Sequence, residues 1–550
     1  CKNKGEDARL YKAVKAVSDL AIALGINVPT GKDSLSMKQK YPSEEVMAPG
    51  TVIISATAHC NDISKVVEPV FKPGKGAIYY LNFSQDSYKL GGSSFAQIQH
   101  KIGSDAPTIQ NTAYVKKAFD TIQELIKQNA IVAGHDIASG GLITTLLELC
   151  FADTHLGAEI DLTAISEKDS IKLLFSENSG IVFQGDEKNI ETILSANAIE
   201  FFKIGKVTAN EYVTITNGED SFNLSVAKLR DTWYNTSYLL DEKQTANGLA
   251  KERFKNYKKQ PLQYIFPKHF TGKLPVVPND NEESLLNNTT SSPQVYHNDK
   301  KRPKAAIIRE KGSNSEREMA NAMYLAGFDV KDVHMTDLIS GRETLEGIQF
   351  IGAVGGFSNS DVLGSAKGWA GAFLYNAKAK TALDNFFARE DTLSVGICNG
   401  CQLFMELEVI NPEHEIHGKM DFNDSQKHES AFTSVTIQKN NSVMLSSLAG
   451  STLGVWISHG EGKFQLPLSE ENYNIVAKYG YNAYPSNPNG SDYNTAMLCD
   501  TTGRHLVTMP HIERSTFQWN WPHYPTGRKD DVSPWLEAFV NARKWIEERK

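Results

Sequence analysis

The segment Gly-Ile-Cys-Asn-Gly-Cys-Gln at 396–402 follows a short apolar run and sets a glycine two residues either side of Cys398. A strand that turns sharply into a helix needs small neighbours, because side chains there would strike the sheet or the helix. Such strain is tolerated where the middle residue must project, and here that residue is a thiol. The helix N-terminus behind it would favour a thiolate. The backbone N–H of Asn399 would face an oxyanion, with a second donor from Gly355, Gly356 or Phe357 in the Gly-Gly-Phe-Ser loop at 355–358. The plain alternative is a buried cysteine at a glycine-rich turn. A redox or zinc role for Cys398 with Cys401 is weaker, since no second C-x-x-C exists.

A cysteine nucleophile needs a base, and the base an orienting group. Among 14 histidines, two sit in H-x-E: His459 with Glu461, and His511 with Glu513. A spacing of two puts both side chains on one side of an extended segment. Residue types and spacing do not separate the two pairs.

The elements that must carry these groups form two blocks. Residues 304–407 alternate strand and helix: strands over 305–309, 328–333, 350–354 and 393–397, helices over 315–327 and from 398 to 407. That rhythm predicts a doubly wound parallel sheet, with ligands at the carboxyl ends of its strands. The first 245 residues read as α+β. Helices are expected at 7–24, 111–128, 140–151 and 186–196, and extended segments at 51–59, 77–83, 131–133, 180–184 and 201–207. The stretch 257–304, polar and poor in core formers, reads as a linker.

Composition narrows the class. The chain has 550 residues, 57 Lys+Arg against 65 Asp+Glu, and a net charge of -8. Mild acidity argues against nucleic acid, and no apolar run reaches the ~18 residues of a spanning helix. Six cysteines, at 1, 60, 150, 398, 401 and 499, are too sparse for a disulfide scaffold and fit a reducing, cytoplasmic setting. The chain starts at Cys1 rather than Met, and reads as a piece of a longer polypeptide.

Taken together, the 396–402 segment, Gly355 to Ser358 with Asp-Val-Leu-Gly at 361–364, and Pro-His-Ile-Glu-Arg at 510–514 resemble the class I (triad) glutamine amidotransferases. Ser-His-Gly-Glu-Gly-Lys-Phe at 458–464, Asn-Pro-Asn-Gly-Ser at 487–491 and Asp-Val-Ser-Pro-Trp at 531–535 narrow this to the large single-chain phosphoribosylformylglycinamidine synthase family. So do Gly-Glu-Asp at 5–7, Gly-Lys-Asp-Ser-Leu-Ser-Met at 31–37, Leu-Gly-Gly-Ser at 90–93 and His-Asp-Ile-Ala-Ser-Gly-Gly at 135–141. The resemblance covers essentially the whole chain, in the family's order.

The resemblance implies four segments: the end of a synthetase lobe at 1–44, an aminoimidazole-ribonucleotide-synthetase-like C-terminal α+β domain at 45–245, a linker at 246–303, and a class I glutaminase at 304–550. It assigns Cys398 as nucleophile, His511 as base and Glu513 as its orienting group. Gly355, Gly356, Phe357, Asn399, Gln402 and His459 fall to the glutamine and oxyanion site. It implies ATP and Mg²⁺ for the synthetase part, with Lys32, Asp33, Ser34, Gly91, Gly92 and Ser93 contacting nucleotide. Asp136 would be a Mg²⁺ ligand of the family's quiescent nucleotide site. Partners would be glutamine, formylglycinamide ribonucleotide and the missing N-terminal part of the same chain, with neither nucleic acid nor membrane, in a monomeric full-length enzyme. Three positions depart from the family: Ile512 where proline is frequent, Ala138 where a small hydroxyl is, and Cys401 where many relatives are apolar. Rival readings are the glutaminase of another ATP-dependent amidotransferase, a scaffold with a dead thiol site, and a cysteine peptidase.

Overall fold

The structure, a computed structural model, describes residues 4–32, 37–259, 263–275, 302–525 and 527–549. Cys1, Asp33, Ser34 and, within the expected linker, residues 260–262 and 276–301 lie outside the described residues. The chain forms two compact units, 1–235 and 236–550.

In the N-terminal unit a seven-stranded sheet runs in the order Ile131–Asp136, Gly180–Gly185, Ala77–Asn82, Phe202–Thr208, Gly157–Asp161, Tyr212–Asn217, Asp220–Ser225. Strand Ala77–Asn82 is apolar on both faces, and each face builds its own core. Ala77, Tyr79 and Leu81 pack with Ile122, Leu125, Ile190 and Leu194 of helices Thr112–Lys127 and Glu187–Ala196. Ile78 and Tyr80 turn the other way, toward Leu142, Leu146 and Leu149 of helix Gly141–Phe151. This is the period-two alternation of a strand covered on both sides. The extended run expected at 51–59 forms no strand among the described residues, and Val52, Ile53 and Ile54 are exposed. An extended segment becomes a strand only when a neighbour completes its ladder, and no described strand does so.

The C-terminal unit is built on nine strands ordered Asp329–His334, Lys304–Arg309, Phe350–Ala353, Leu393–Ile397, His505–Thr508, Thr495–Cys499, Asn474–Tyr479, Glu429–Ile437, Thr452–His459. The first five are parallel, as the alternation of elements predicts. The remaining four pair antiparallel and extend the sheet beyond the doubly wound pattern. The core strand Leu393–Ile397 and its two neighbours Phe350–Ala353 and His505–Thr508 are buried throughout, and Lys304–Arg309 is buried except at its ends. This matches the continuous apolar runs of a sheet covered on both faces.

The front of the expected linker is not loose. Helix Leu249–Asn256 buries Ala250, and its Arg253 pairs with Glu429 at 2.8 Å. Ile265 pairs with Thr452 as an isolated bridge.

Candidate active site

Cys398 stands where strand Leu393–Ile397 meets helix Asn399–Glu406, with φ 53° and ψ −106°. A non-glycine residue held there costs about 1–3 kcal/mol, which the surroundings must supply. The flanking glycines explain how. A Cβ on Gly396 would lie 2.5 Å from the Gly400 carbonyl oxygen, and one on Gly400 would lie 2.1 Å from that of Ala353. Any side chain at either position would push the elbow open.

His511 follows the adjacent parallel strand His505–Thr508, and Gly355 follows Phe350–Ala353 on the other side. A Cβ on Gly355 would meet His511 Cε1 at 2.8 Å and Cys398 Cβ at 3.3 Å, so glycine leaves the space the two side chains share. His511 Nδ1 is 2.6 Å from Glu513 Oε1, which leaves Nε2 for the hydrogen bond to the Cys398 thiol. All three side chains are buried. Burial alone would lower the basicity of His511. The Glu513 carboxylate and Cys398 more than offset it and raise the imidazole to about 10. Glu513 Oε2 is itself buried with no hydrogen-bond partner among the described residues, so the imidazolium is its counter-charge.

The other H-x-E histidine has opposite surroundings. His459 ends strand Thr452–His459, is buried, and is pushed down to about 3, first by burial and then by the charge of His511. Its Nδ1 lies 3.2 Å from Asn423 Oδ1. The Asn423 amide nitrogen donates to the carbonyls of His459 and Lys427, so its oxygen must face the imidazole and Nδ1 must carry the proton. Glu461 is not its partner: Glu461 accepts from the Ser365 N–H at 3.1 Å.

Phe357, Asp361, Gln402, His459, Glu461 and Arg514 join Cys398, His511 and Gly356 around a cavity of 260 Å³, room for a molecule of amino-acid size. The Gly355 N–H donates to Ser315 Oγ at 3.3 Å and that of Phe357 to the Gly312 carbonyl at 3.0 Å. Gly356, between them at φ 129°, cannot carry a side chain, since a Cβ would lie 2.5 Å from Ser313 Cα. The Gln402 amide is held inside the wall, accepting from Asn399 Nδ2 at 2.8 Å and donating to the Glu461 carbonyl at 2.7 Å. Burial raises the Asp361 carboxyl, hydrogen bonds from Ala366 and Asn399 oppose that, and Glu461 adds to it. Cys401 is fully buried and its thiol is pushed well up by burial, which suits packing. Asp361 and Asn423 are the residues whose part the sequence reading missed. Asp361 opens the Asp-Val-Leu-Gly segment at 361–364; nothing in the local sequence marks Asn423.

In the N-terminal unit two glycine-bearing loops come together. One Glu177 oxygen accepts from the N–H of Ser94 at 2.8 Å and of Gly140 at 2.9 Å, tying loop 90–94 to loop 136–141. Gly91 is packed against the Asp105 backbone, and Gly92 takes φ 74° with open space around it. The Ser93 hydroxyl donates to the Leu90 carbonyl at 2.6 Å and accepts from the Ala96 N–H, so its bonds stay within the loop. Lys32 is exposed. The Asp136 side chain is 77% exposed, with His135 Nδ1 at 3.1 Å. Among the described residues no three His, Cys, Asp or Glu side chains come together as a metal site. Asp136 offers one exposed carboxylate, the kind of ligand that holds Mg²⁺ together with nucleotide phosphates and water.

Residues 302–546 match the family described as CobB/CobQ-like glutamine amidotransferase domain, so the C-terminal unit carries a domain of that class. Residues 83–217 match the AIR synthase related protein C-terminal domain, and 1–59 an FGAR-AT PurM_N-like domain. Over nearly its whole length the chain is related to phosphoribosylformylglycinamidine synthases. It is 38% identical to a probable chloroplastic/mitochondrial one from Arabidopsis thaliana, over 99% of this chain and 39% of that protein. Identity is 35% to the Dictyostelium discoideum protein, over 99% of this chain and 43% of that one. It is 34% to the Homo sapiens protein, over 98% and 42%. The chain thus spans about two-fifths of the length of these relatives. A solved PurLQS structure from Thermotoga maritima aligns with 45% of this chain and 99% of that one at 21% identity and a TM-score of 0.35, and adds nothing to the topology above. No helix among the described residues is long and apolar enough to cross a membrane.

Proposed function

We propose that this chain supplies the glutaminase part, and a portion of the synthetase part, of a purine-biosynthetic phosphoribosylformylglycinamidine synthase. The whole enzyme would convert formylglycinamide ribonucleotide, glutamine and ATP to the amidine, in the cytoplasm or, as the Arabidopsis relative's name states for that protein, an organelle. The observation that carries the reading is the buried Cys398–His511–Glu513 set, assembled at the carboxyl ends of adjacent parallel strands.

Cys398 sulfur attacks the side-chain carboxamide carbon of glutamine while its proton resides on His511 Nε2. The new oxyanion is held by the N–H groups of Asn399 and Gly356. Gly355 provides clearance rather than a donor, because its amide is already bonded. His511 gives its proton to the departing nitrogen, and ammonia leaves a thioester on Cys398. Water attacks that thioester, His511 takes up a proton, and glutamate is released. Glu513 keeps Nδ1 protonated and stabilises the imidazolium. The carboxylates of Asp361 and Glu461 and the guanidinium of Arg514 line the cavity with both charge signs, as the ammonium and carboxylate of an amino acid require. In the synthetase part ATP would activate the amide oxygen of formylglycinamide ribonucleotide as a phosphate leaving group, which ammonia displaces. The roles of Lys32, Asp33, Ser34, Gly91, Gly92, Ser93 and Asp136 there rest on family resemblance alone.

The test replaces Cys398 by Ala. Glutamate release should vanish, and in the full-length enzyme amidine formation from ammonium salts should survive. Glutamine hydrolysis persisting in that variant, or loss of the ammonia-driven reaction with it, overturns the reading.

A further inference from the structure

The carboxamide of Asn399 joins the two halves of the oxyanion site. Asn399 is buried in the first turn of the elbow helix. Its Oδ1 accepts from the N–H of Ser358 at 3.1 Å, two residues beyond Gly356. Its Nδ2 donates to both oxygens of Asp361, at 3.3 and 3.4 Å, and to Gln402 Oε1 at 2.8 Å. Donors and acceptors match, which fixes the amide orientation.

The loop so gripped is strained. Asn359, Ser360 and Asp361 have φ of 53°, 59° and 47°, three successive non-glycine residues in the left-handed region. Such a run persists only when its surroundings over-determine it. Asp361 is the anchor at its end: Oδ1 also accepts from the Ala366 N–H at 3.2 Å. Released from Asn399, the strained turn at 359–361 would relax and pull on Gly356, whose flanking peptides are held only by the Asn314–Gly355 and Phe357–Gly312 backbone bonds among the described residues, while the Asn399 N–H would remain on the helix.

We propose that the Asn399 side chain is a positioning residue. It locks the Gly356 loop to the elbow, so that the two oxyanion donors stand at fixed separation before substrate arrives. This rests on the glutaminase reading above. An oxyanion donor acts in the transition state, so its displacement lowers kcat and leaves KM nearly unchanged.

The test measures glutamate release by Asn399→Leu and Asn399→Asp. The backbone donor remains in both, and Asp places like charge against Asp361. We expect kcat to fall about 100-fold, the range for one oxyanion donor, with KM within about threefold and alkylation of Cys398 by iodoacetamide at the wild-type rate. The exchange variant Asn399→Asp with Asp361→Asn restores the donor–acceptor pair to the loop, though not the bond to Gln402, and should recover about tenfold of the kcat loss. Should Asn399→Leu fail to fold, Asn399→Ala removes the same link without touching the cavity carboxylates and carries the same expectation. Wild-type kcat in Asn399→Leu, or equal loss in the single and exchange variants, overturns the inference while leaving the glutaminase reading intact. Wild-type protein that releases no glutamate overturns the parent reading instead.

Discussion

Two segments of the C-terminal unit carry the same pattern, histidine and glutamate two residues apart, yet occupy opposite electrostatic settings. At 511–513 the pair folds back on itself, imidazole to carboxylate at 2.6 Å, and the histidine is raised to about 10. At 459–461 the glutamate turns to the Ser365 N–H, the histidine turns to a neutral amide, and its basicity falls to about 3. Both imidazoles are buried, so burial does not distinguish them. The partner of Nδ1 does: a carboxylate pays the desolvation of an imidazolium, and an amide oxygen does not. A motif of two residue types thus specifies chemistry only once the backbone decides who faces whom.

The comparison can be broken in order of expected effect. Cys398→Ala should abolish glutamine hydrolysis, measured as glutamate release. Glu513→Gln keeps the shape but removes the charge. It should lower kcat about 100-fold or more, because the amide can no longer hold the imidazolium. His459→Gln should cost no more than about tenfold in kcat, since that imidazole stays neutral and supports a wall through Asn423.

His511 is raised above its unfolded value near 6.5, so its contribution is complete below pH 6.5 and is lost as pH rises toward about 10. His459 is depressed; the folded protein refuses a proton that the unfolded chain takes. Its effect is a loss of stability as pH falls below 6.5 toward about 3. Each slope is bounded by one proton, ~1.4 kcal/mol per pH unit. Denaturant melts across pH 4–10 should show the alkaline slope flattened in His511→Ala and the acid slope flattened in His459→Gln. A variant pair with the two slopes exchanged would contradict the assignment.

Much of this was legible before the fold. The glycines around Cys398 announce an elbow because clearance there depends on immediate neighbours. The parallel strands at 305–309, 350–354 and 393–397 are short apolar runs whose burial on both faces shows in composition. The antiparallel extension was not legible, because strands such as Glu429–Ile437 and Thr495–Cys499 owe their place to partners distant in sequence. The run at 51–59 shows the converse error: β-forming residues with no described partner strand remain unpaired. Residue types alone did not separate His511 from His459. Family resemblance chose His511, and the structure supplies a physical reason in Asn423, a residue with no local signal.

The most direct measurement compares His511→Ala with His459→Ala in one glutamate-release assay, with kcat and KM determined separately. His511→Ala should lose at least about 1,000-fold in kcat, and His459→Ala no more than about tenfold. A loss in kcat from His459→Ala equal to or greater than that from His511→Ala would contradict it.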